Sequence, residues 1–333
     1  MIKPDFSPVK DLFLTYPKGF AKPYGNLTEF YQNLIKAIPD DIQLYIIVNN
    51  EKAEKEIKSL FPNKKIKTVL IKYFEEIWLR DIFGFNTGIN RIYRPIFKPD
   101  YCSYIYTGSY LKQIENQVKQ IFSETIRAEV VEIPLVLDGG NMVTNGEIGF
   151  ITDKIKRDNP EVKNYIEKIL YDYLGIKAVI IEGSKSDILG HSDGYLSFLS
   201  KNKICVSSYP EIGFLKDDIE NLKGIEREVK NQGIEVIKIH DRPIDEKVIG
   251  GGKEENDKSN NCLMSARGIY VNHLILNDTI ILPEYSIPNY KKTMDYNKVN
   301  KKILEEQGFK VITVNCNDVA ILGGSLHCIS FTN

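Results

Sequence analysis

The sequence predicts an α/β fold, and two observations carry that prediction. Short apolar runs of strand character alternate with longer amphipathic stretches along all 333 residues. Segments that combine glycines or small residues with an isolated acid, His or Cys recur at intervals of about 55 to 80 residues, a period expected of repeated supersecondary units even when the repeats share no sequence. Such units either converge on one axis, one loop or strand end per unit, or lie side by side in a doubly wound sheet, which also gathers distant residues at its strand ends. The spacing leaves both arrangements open.

The elements follow in order. Strand-like runs cover 44–48, 67–71, 178–181, 203–206, 235–239, 279–282 and 310–314, each rich in Val, Ile or Leu. Helical stretches cover 27–37, 52–60, 111–122, 161–174, 216–232 and 296–307, and several meet a Gly or Pro stop, as at Pro39, Gly175, Gly233 and Gly308. From Asp241 to Ala266 the pattern fails: Gly250-Gly251-Gly252 runs into charged, Asn-rich sequence with little to bury. Residues 241–266 are therefore expected to form a mobile loop that serves as a lid. The whole of 1–333 reads as one domain.

Composition excludes several classes of function. With 42% hydrophobic residues the chain can bury a proper core, and a net charge of −1 with Lys and Glu interspersed leaves no footprint for nucleic acid. The start, Met1 to Phe6, lacks the apolar region of a signal peptide, and no apolar run approaches the roughly 20 residues that cross a bilayer. The expectation is a cytoplasmic protein with no membrane partner. Five cysteines without a CxxC pair argue against a disulfide framework and against zinc, so no metal or other cofactor is expected. Cys102, Cys205, Cys262 and Cys316 read as reduced, mostly buried thiols. The sequence is compatible with a homo-oligomer but does not specify one.

Cys328 stands apart, in the small-residue turn Gly323-Gly324-Ser325-Leu326-His327-Cys328. A thiol attacks as thiolate, and at a free pKa of about 8.5 it needs partners that ionise it or pair with it. Trp78-Leu79-Arg80-Asp81 ends an apolar run with an acid, and Gly190-His191-Ser192-Asp193-Gly194 sets an imidazole and a carboxylate two residues apart. If the latter is extended, His191 and Asp193 face one cavity. By the same rule His327 points away from the face of Cys328 and is structural. Two acids, one His and one Cys suit a planar cation: each carboxylate accepts two N–H bonds from a guanidinium while the thiolate attacks its central carbon.

At these residues the chain resembles a known family. The strings WLRD, LDGGNMVTNGEIGFIT, GHSDG, YVNHLILN and GGSLHC, in this order, are similar to signature segments of the agmatine deiminase and bacterial peptidylarginine deiminase family of the guanidine-modifying superfamily. The opening PVKDLFLTYP resembles that family's first strand. The resemblance implies a pentein-like five-bladed α/β propeller with pseudo-fivefold repeats, no metal at the catalytic centre, and hydrolysis of a guanidinium to a ureido group plus ammonia. It implies that Asp81 and Asp193 hold the guanidinium, that Cys328 attacks to form a thiouronium, and that His191 moves the protons. It also makes Gly139, Gly140 and Asn141 a cavity-lining turn, makes Asn272 a site-lining residue, and leaves Trp78 either in the core or stacked on the cation.

The small guanidino substrate expected first is agmatine, with peptidylarginine or free arginine as the runner-up. Arg91 and Arg94 would bind the carboxylate of the latter, and the chain departs from typical agmatine deiminases in FLTYP and SDILGHSDG. An amidinotransferase would share the covalent intermediate, and a catalytically silent binder of cations would share the cavity.

Overall fold

The computed structural model describes residues 2–20, 24–88, 90–101, 106–184, 187, 189–244, 265–286 and 294–333. Their strands form five small mixed sheets. In the first, β1 (Asp11–Thr15), β2 (Gln43–Val48) and β3 (Ile66–Leu70) run parallel, joined by helices α1 (Thr28–Ala37) and α2 (Glu51–Leu60). Parallel neighbours need such crossovers, and strands covered this way bury both faces. All of β1 except Asp11, and all of β2 except Gln43, is buried. Helix α1 turns Phe30, Tyr31, Leu34 and Ile35 inward, and α2 is capped by the Asn50 side chain, which accepts the Ala53 N–H at 2.9 Å.

The next four sheets repeat one plan, an antiparallel pair followed by a helical crossover to a strand parallel to the second. After the short helix α3 (Leu79–Phe83), β4 (Phe85–Asn86) and β5 (Arg91–Ile96) lead through α4 (Gly108–Glu124) to β6 (Glu129–Val136). Then β7 (Val143–Thr144) and β8 (Ile148–Thr152) lead through α5 (Lys154–Asp158) and α6 (Ile166–Leu174) to β9 (Lys177–Ile181). β10 (Leu196–Ser200) and β11 (Lys203–Ser208) precede α7 (Lys216–Asn231) and β12 (Glu235–His240). β13 (Leu274–Leu276) and β14 (Thr279–Glu284) precede α8 (Tyr296–Glu306) and β15 (Lys310–Asn315). Past α9 (Asn317–Ala320), β16 (Phe331–Thr332) returns to the first sheet and pairs antiparallel with β1, Phe13 opposite Phe331. The first sheet thus acquires the antiparallel edge that the other four have.

Apolar clusters lie between successive sheets. Phe13, Phe83, Ile92 and Phe122 join the first to the second, Phe85, Ile133, Ile151 and Ile166 the second to the third, and Phe150, Ile181, Phe198 and Leu222 the third to the fourth. A fourth cluster runs from Leu199, Cys205 and Ile239 through Leu274 and Ile281 back to Leu12 and Leu14. Phe83 packs edge-on against Phe122 and Phe331, with ring centroids 4.8 and 5.2 Å away, and this anchors α3.

The expected strands and helices all occur, with ends shifted by a few residues. Several hairpin strands, the parallel strand β6 and the helices α3, α5 and α9 were not anticipated. Most of the expected loop at 241–266 lies outside the described residues, as do Cys102 and Cys262. Cys205 and Cys316 are buried free thiols, held in the protonated form by burial, Cys316 with a pKa near 12. Among the described residues no helix is long and apolar enough to cross a membrane.

Candidate active site

Helix α3 delivers Asp81. The Arg80 N–H donates to the Cys328 carbonyl at 3.1 Å, so the start of the helix is docked on the backbone of the turn that carries the thiol. Asp81 Oδ1 accepts the Gly140 N–H at 3.0 Å. Glycine is required there: a Cβ on Gly140 would lie 2.8 Å from Asp81 Oδ1 and 3.0 Å from both Asp193 Oδ2 and His191 Nδ1. Gly139 is equally confined, since its Cβ would fall 1.9 Å from the Arg80 carbonyl oxygen. Asp81, His191 and Asp193 therefore meet around one glycine.

His191 and Asp193 reach this place by a different local structure from the extended segment expected. His191 is extended, but Ser192–Gly194 form a 3-10 turn, closed by the Gly194 N–H on the His191 carbonyl at 3.2 Å. A tight turn, not strand alternation, brings the two side chains together. The His191 ring has Nε2 2.9 Å from Asp138 Oδ2, which leaves Nδ1 3.6 Å from Asp81 Oδ1.

Cys328 also lies in a turn, with the Ile329 N–H on the Ser325 carbonyl. For that reason His327 does not point away as expected: its Nδ1 is 2.7 Å from Asp193 Oδ2 and its Nε2 3.2 Å from Asp5 Oδ2, while Arg80 pairs with Asp5 at 3.0 Å. Asn272 joins the two turns. Its Oδ1 accepts from the backbone N–H of His327 and the Sγ of Cys328, at 3.2 and 3.4 Å, and its Nδ2 donates to the Asp193 carbonyl. Cys328 Sγ lies 3.7 Å from Asp193 Oδ2.

A cleft opens above these groups, lined by His191, Asp193, Asn272 and Cys328 and, further along, by Asp187, Asp218, Tyr195 and Phe214. Trp78 packs behind the turn: a Cβ on Gly324 would meet its ring at 2.4 Å. Asn141 faces β8 and accepts the Thr152 N–H at 3.0 Å, which braces the turn that carries Gly139 and Gly140. Arg91 pairs with Glu129 at 2.8 Å on the surface, and Arg94 donates to the Ile82 carbonyl, so neither reaches the cleft. Among the described residues no cluster of His, Cys, Asp or Glu could hold a metal ion.

The charges fall into a pattern. Burial and then Asp193 and Asp81 push the Cys328 thiol well above its ordinary pKa. Burial would lower the His191 pKa, but Asp81, Asp138 and Asp193 outweigh it and lift the imidazole to about 10. Against their own burial, Asp193 is lowered by His327 and His191, and Asp138 by His191 and Lys154. Burial, then Asp138 and Asp193, lift Asp81 to about 7 against the pull of His191, so at neutral pH the cleft floor holds a neutral thiol and an imidazolium among carboxylates of which Asp81 is only partly ionised.

Asp138 and Asp5 went unread as participants in the sequence, and His327 was read as structural only. Asp138 was taken as part of a turn, although an acid before Gly-Gly one interval from His191 fits the period that flagged the other segments. Asp5 and His327 carried no such signal. The confined glycine gives a test: Gly140→Ala is expected to cut kcat/KM by about a hundredfold or more by displacing Asp81 and Asp193, with little change in KM-independent measures of folding such as Tm. Unaltered kinetics would mean that the carboxylates tolerate displacement.

Comparison with known proteins identifies the family and the fold. An agmatine deiminase of Pseudomonas syringae pv. tomato is 24% identical over 220 residues, 59% of this chain but only 56% of that enzyme. A Legionella pneumophila protein named putative agmatine deiminase is 23% identical over 90% of this chain and 84% of its own. The solved structure of Campylobacter jejuni (C. jejuni) agmatine deiminase superposes with a TM-score of 0.77 at 17% identity, covering 100% of this chain and 95% of that one, and so shares the fold. With residues 1–333 matching it from end to end, the chain belongs to the Porphyromonas-type peptidyl-arginine deiminase family.

Proposed function

We propose that this protein hydrolyses the guanidino group of a small dicationic substrate, agmatine first, to a ureido group and ammonia. The observation that carries the reading is the composition of the cleft: one thiol, one imidazole and carboxylates at both ends, with no Arg or Lys among its described lining residues. A guanidinium on Asp81 and Asp193 accounts for one end. Asp187 and Asp218 suit an ammonium at the other, whereas the carboxylate of arginine would meet like charge there.

In this reading the incoming guanidinium supplies the positive charge that the Cys328 thiol lacks, and its proton is lost as the substrate binds. Sγ attacks the guanidinium carbon to form a tetrahedral adduct. His191 Nδ1, free of Asp138, gives its proton to the departing nitrogen, and ammonia leaves a thiouronium on Sγ. His191 then takes a proton from water as its oxygen adds to the same carbon. Collapse breaks the C–S bond and frees the ureido product, the hydroxyl proton of the adduct returns to Sγ to restore the thiol, and ammonia takes up the proton that the thiol first released to solvent. Overall one guanidinium and one water yield one urea and one ammonium ion. The sheets support a matching fold proposal: five repeated units with shared apolar clusters, the last strand back on the first, suit a five-bladed propeller with these groups on its axis.

The test compares kcat/KM for agmatine, arginine and peptides with internal or C-terminal arginine. Agmatine is expected to lead by about tenfold or more, and Asp187→Asn to raise its KM more than that of arginine. A preference for substrates bearing a carboxylate or peptide backbone would transfer the reading to arginine or peptidylarginine. Transfer of the amidino group to an added amine instead of water would make it an amidinotransferase.

A further inference from the structure

Lys154, at the start of α5, is buried to 1% side-chain exposure although nothing in the proposed chemistry calls on it. Its Nζ lies 2.6 Å from Asp158 Oδ2, 3.1 Å from Asp100 Oδ1 and 3.7 Å from Asp138 Oδ2. The same Asp138 oxygen holds His191 Nε2, and the other, Oδ1, is buried without a hydrogen-bond partner. The Lys154 stem runs beneath Gly190, whose Cβ would sit 3.6 Å from the lysine Cδ. A lysine is fully buried only when paired, and Asp158 with Asp100 already pairs this one. Its approach to Asp138 is a third contact, directed at the carboxylate that grips the imidazole.

We propose that Lys154 is a positioning residue for His191: its ammonium partly neutralises Asp138 and its stem backs the Gly190 turn, so that the imidazole keeps Nδ1 toward the cleft and can release its proton. The proposal rests on reading His191 as the proton carrier. His191 faces Asp81 from α3, Asp138 from the turn before β7, Asp193 from its own turn and Cys328 from the C-terminal turn, with the Tyr101 ring edge-on at 6.2 Å and Asp187 acting at longer range. Of the cations on this side, Arg157 also lies near Gly190 but pairs with Asp153 at 3.0 Å, which leaves Lys154 as the one that touches the carboxylate of the His191 pair. Surrounded by carboxylates alone, the imidazolium would hold its proton too tightly for transfer to a leaving amine.

The test follows the His191 ring by NMR across a pH titration in the Cys328→Ser protein, a measurement that needs no turnover. Lys154→Met removes a positive charge and is expected to raise the His191 pKa by about one unit, Lys154→Arg to leave it nearly unchanged, and Asp158→Asn, which removes a negative charge, to lower it. In the active enzyme the alkaline limb of kcat should move in the same directions. A role confined to packing would give shifts of one sign, or none, in the two charge-changing variants, and that result would overturn the proposal. Should Lys154→Met fail to fold, an unshifted pKa in Asp158→Asn overturns it equally. If the protein turns over no guanidino compound while the opposed shifts appear, the function proposed above fails and the assignment of Lys154 as a positioning residue stands.

Discussion

Cys328→Ala is expected to reduce turnover by about ten thousandfold or more while the protein remains folded. Among the described residues Cys328 is the one thiol within reach of Asp193 and Asn272, and alanine supplies no substitute for it. Removing one buried sulfur from a turn held by backbone hydrogen bonds costs on the order of 1 kcal/mol, which a thermal melt will register as a few degrees at most. Mass spectrometry of acid-quenched wild-type reactions should find an amidino adduct on Cys328. An adduct on Cys205 or Cys316 instead, or residual activity near that of the wild type, would remove Cys328 from the chemistry.

The second large effect carries opposite signs in two assays. Asp193→Asn keeps the shape of the side chain but removes the anion beside the thiol, so kcat/KM for a guanidino substrate should fall by about a thousandfold. The same change removes one of the two carboxylates that hold the Cys328 thiol protonated, so its alkylation by iodoacetamide at neutral pH should become faster. Asp81→Asn should behave alike, because Asp81 is the other carboxylate. Parallel loss of turnover and of alkylation would indicate a disordered turn rather than a missing charge, and the clamp assigned to these acids would have to be abandoned.

Legibility in the sequence followed physical scale. Strands buried on both faces write continuous runs such as Tyr45-Ile46-Ile47-Val48, and the helices between them close with Gly or Pro, so the α/β alternation was plain. Two-residue strands such as β4, β7 and β16 contain too little sequence to show a period, although Asn145-Gly146, with Gly146 at φ +89°, was a readable hairpin signal for β7 and β8. Cys328, His191, Asp81 and Asp193 were found because each is a reactive type set among glycines or at the end of an apolar run. Their mutual placement was argued from strand alternation and is in fact made by turns, which is why His327 was sent to the wrong side. Asp138 was passed over as part of a turn although its place before Gly-Gly was a usable signal, whereas Lys154 acts through Asp138 and His191, and a residue that works through others leaves no local pattern. Lys154 in particular sits in Asp153-Lys154-Ile155-Lys156-Arg157, which reads as a solvated helix face.

The pairing of β16 with β1 has a consequence for how the protein comes to exist in time. The ribosome delivers β16 more than 300 residues after β1, yet the thiol sits just before β16 and His327 beside it bridges 322 positions back to Asp5. Contacts of such separation form late, because the entropy of closing the largest loop must be met before they are rewarded. Nascent chains and folding intermediates therefore carry the acids and the imidazole without the sulfur among them. The longest-range contact is thus also the one that brings the Cys328 sulfur beside Asp193, so a molecule in which β16 has not yet reached β1 lacks the proposed nucleophile at its site.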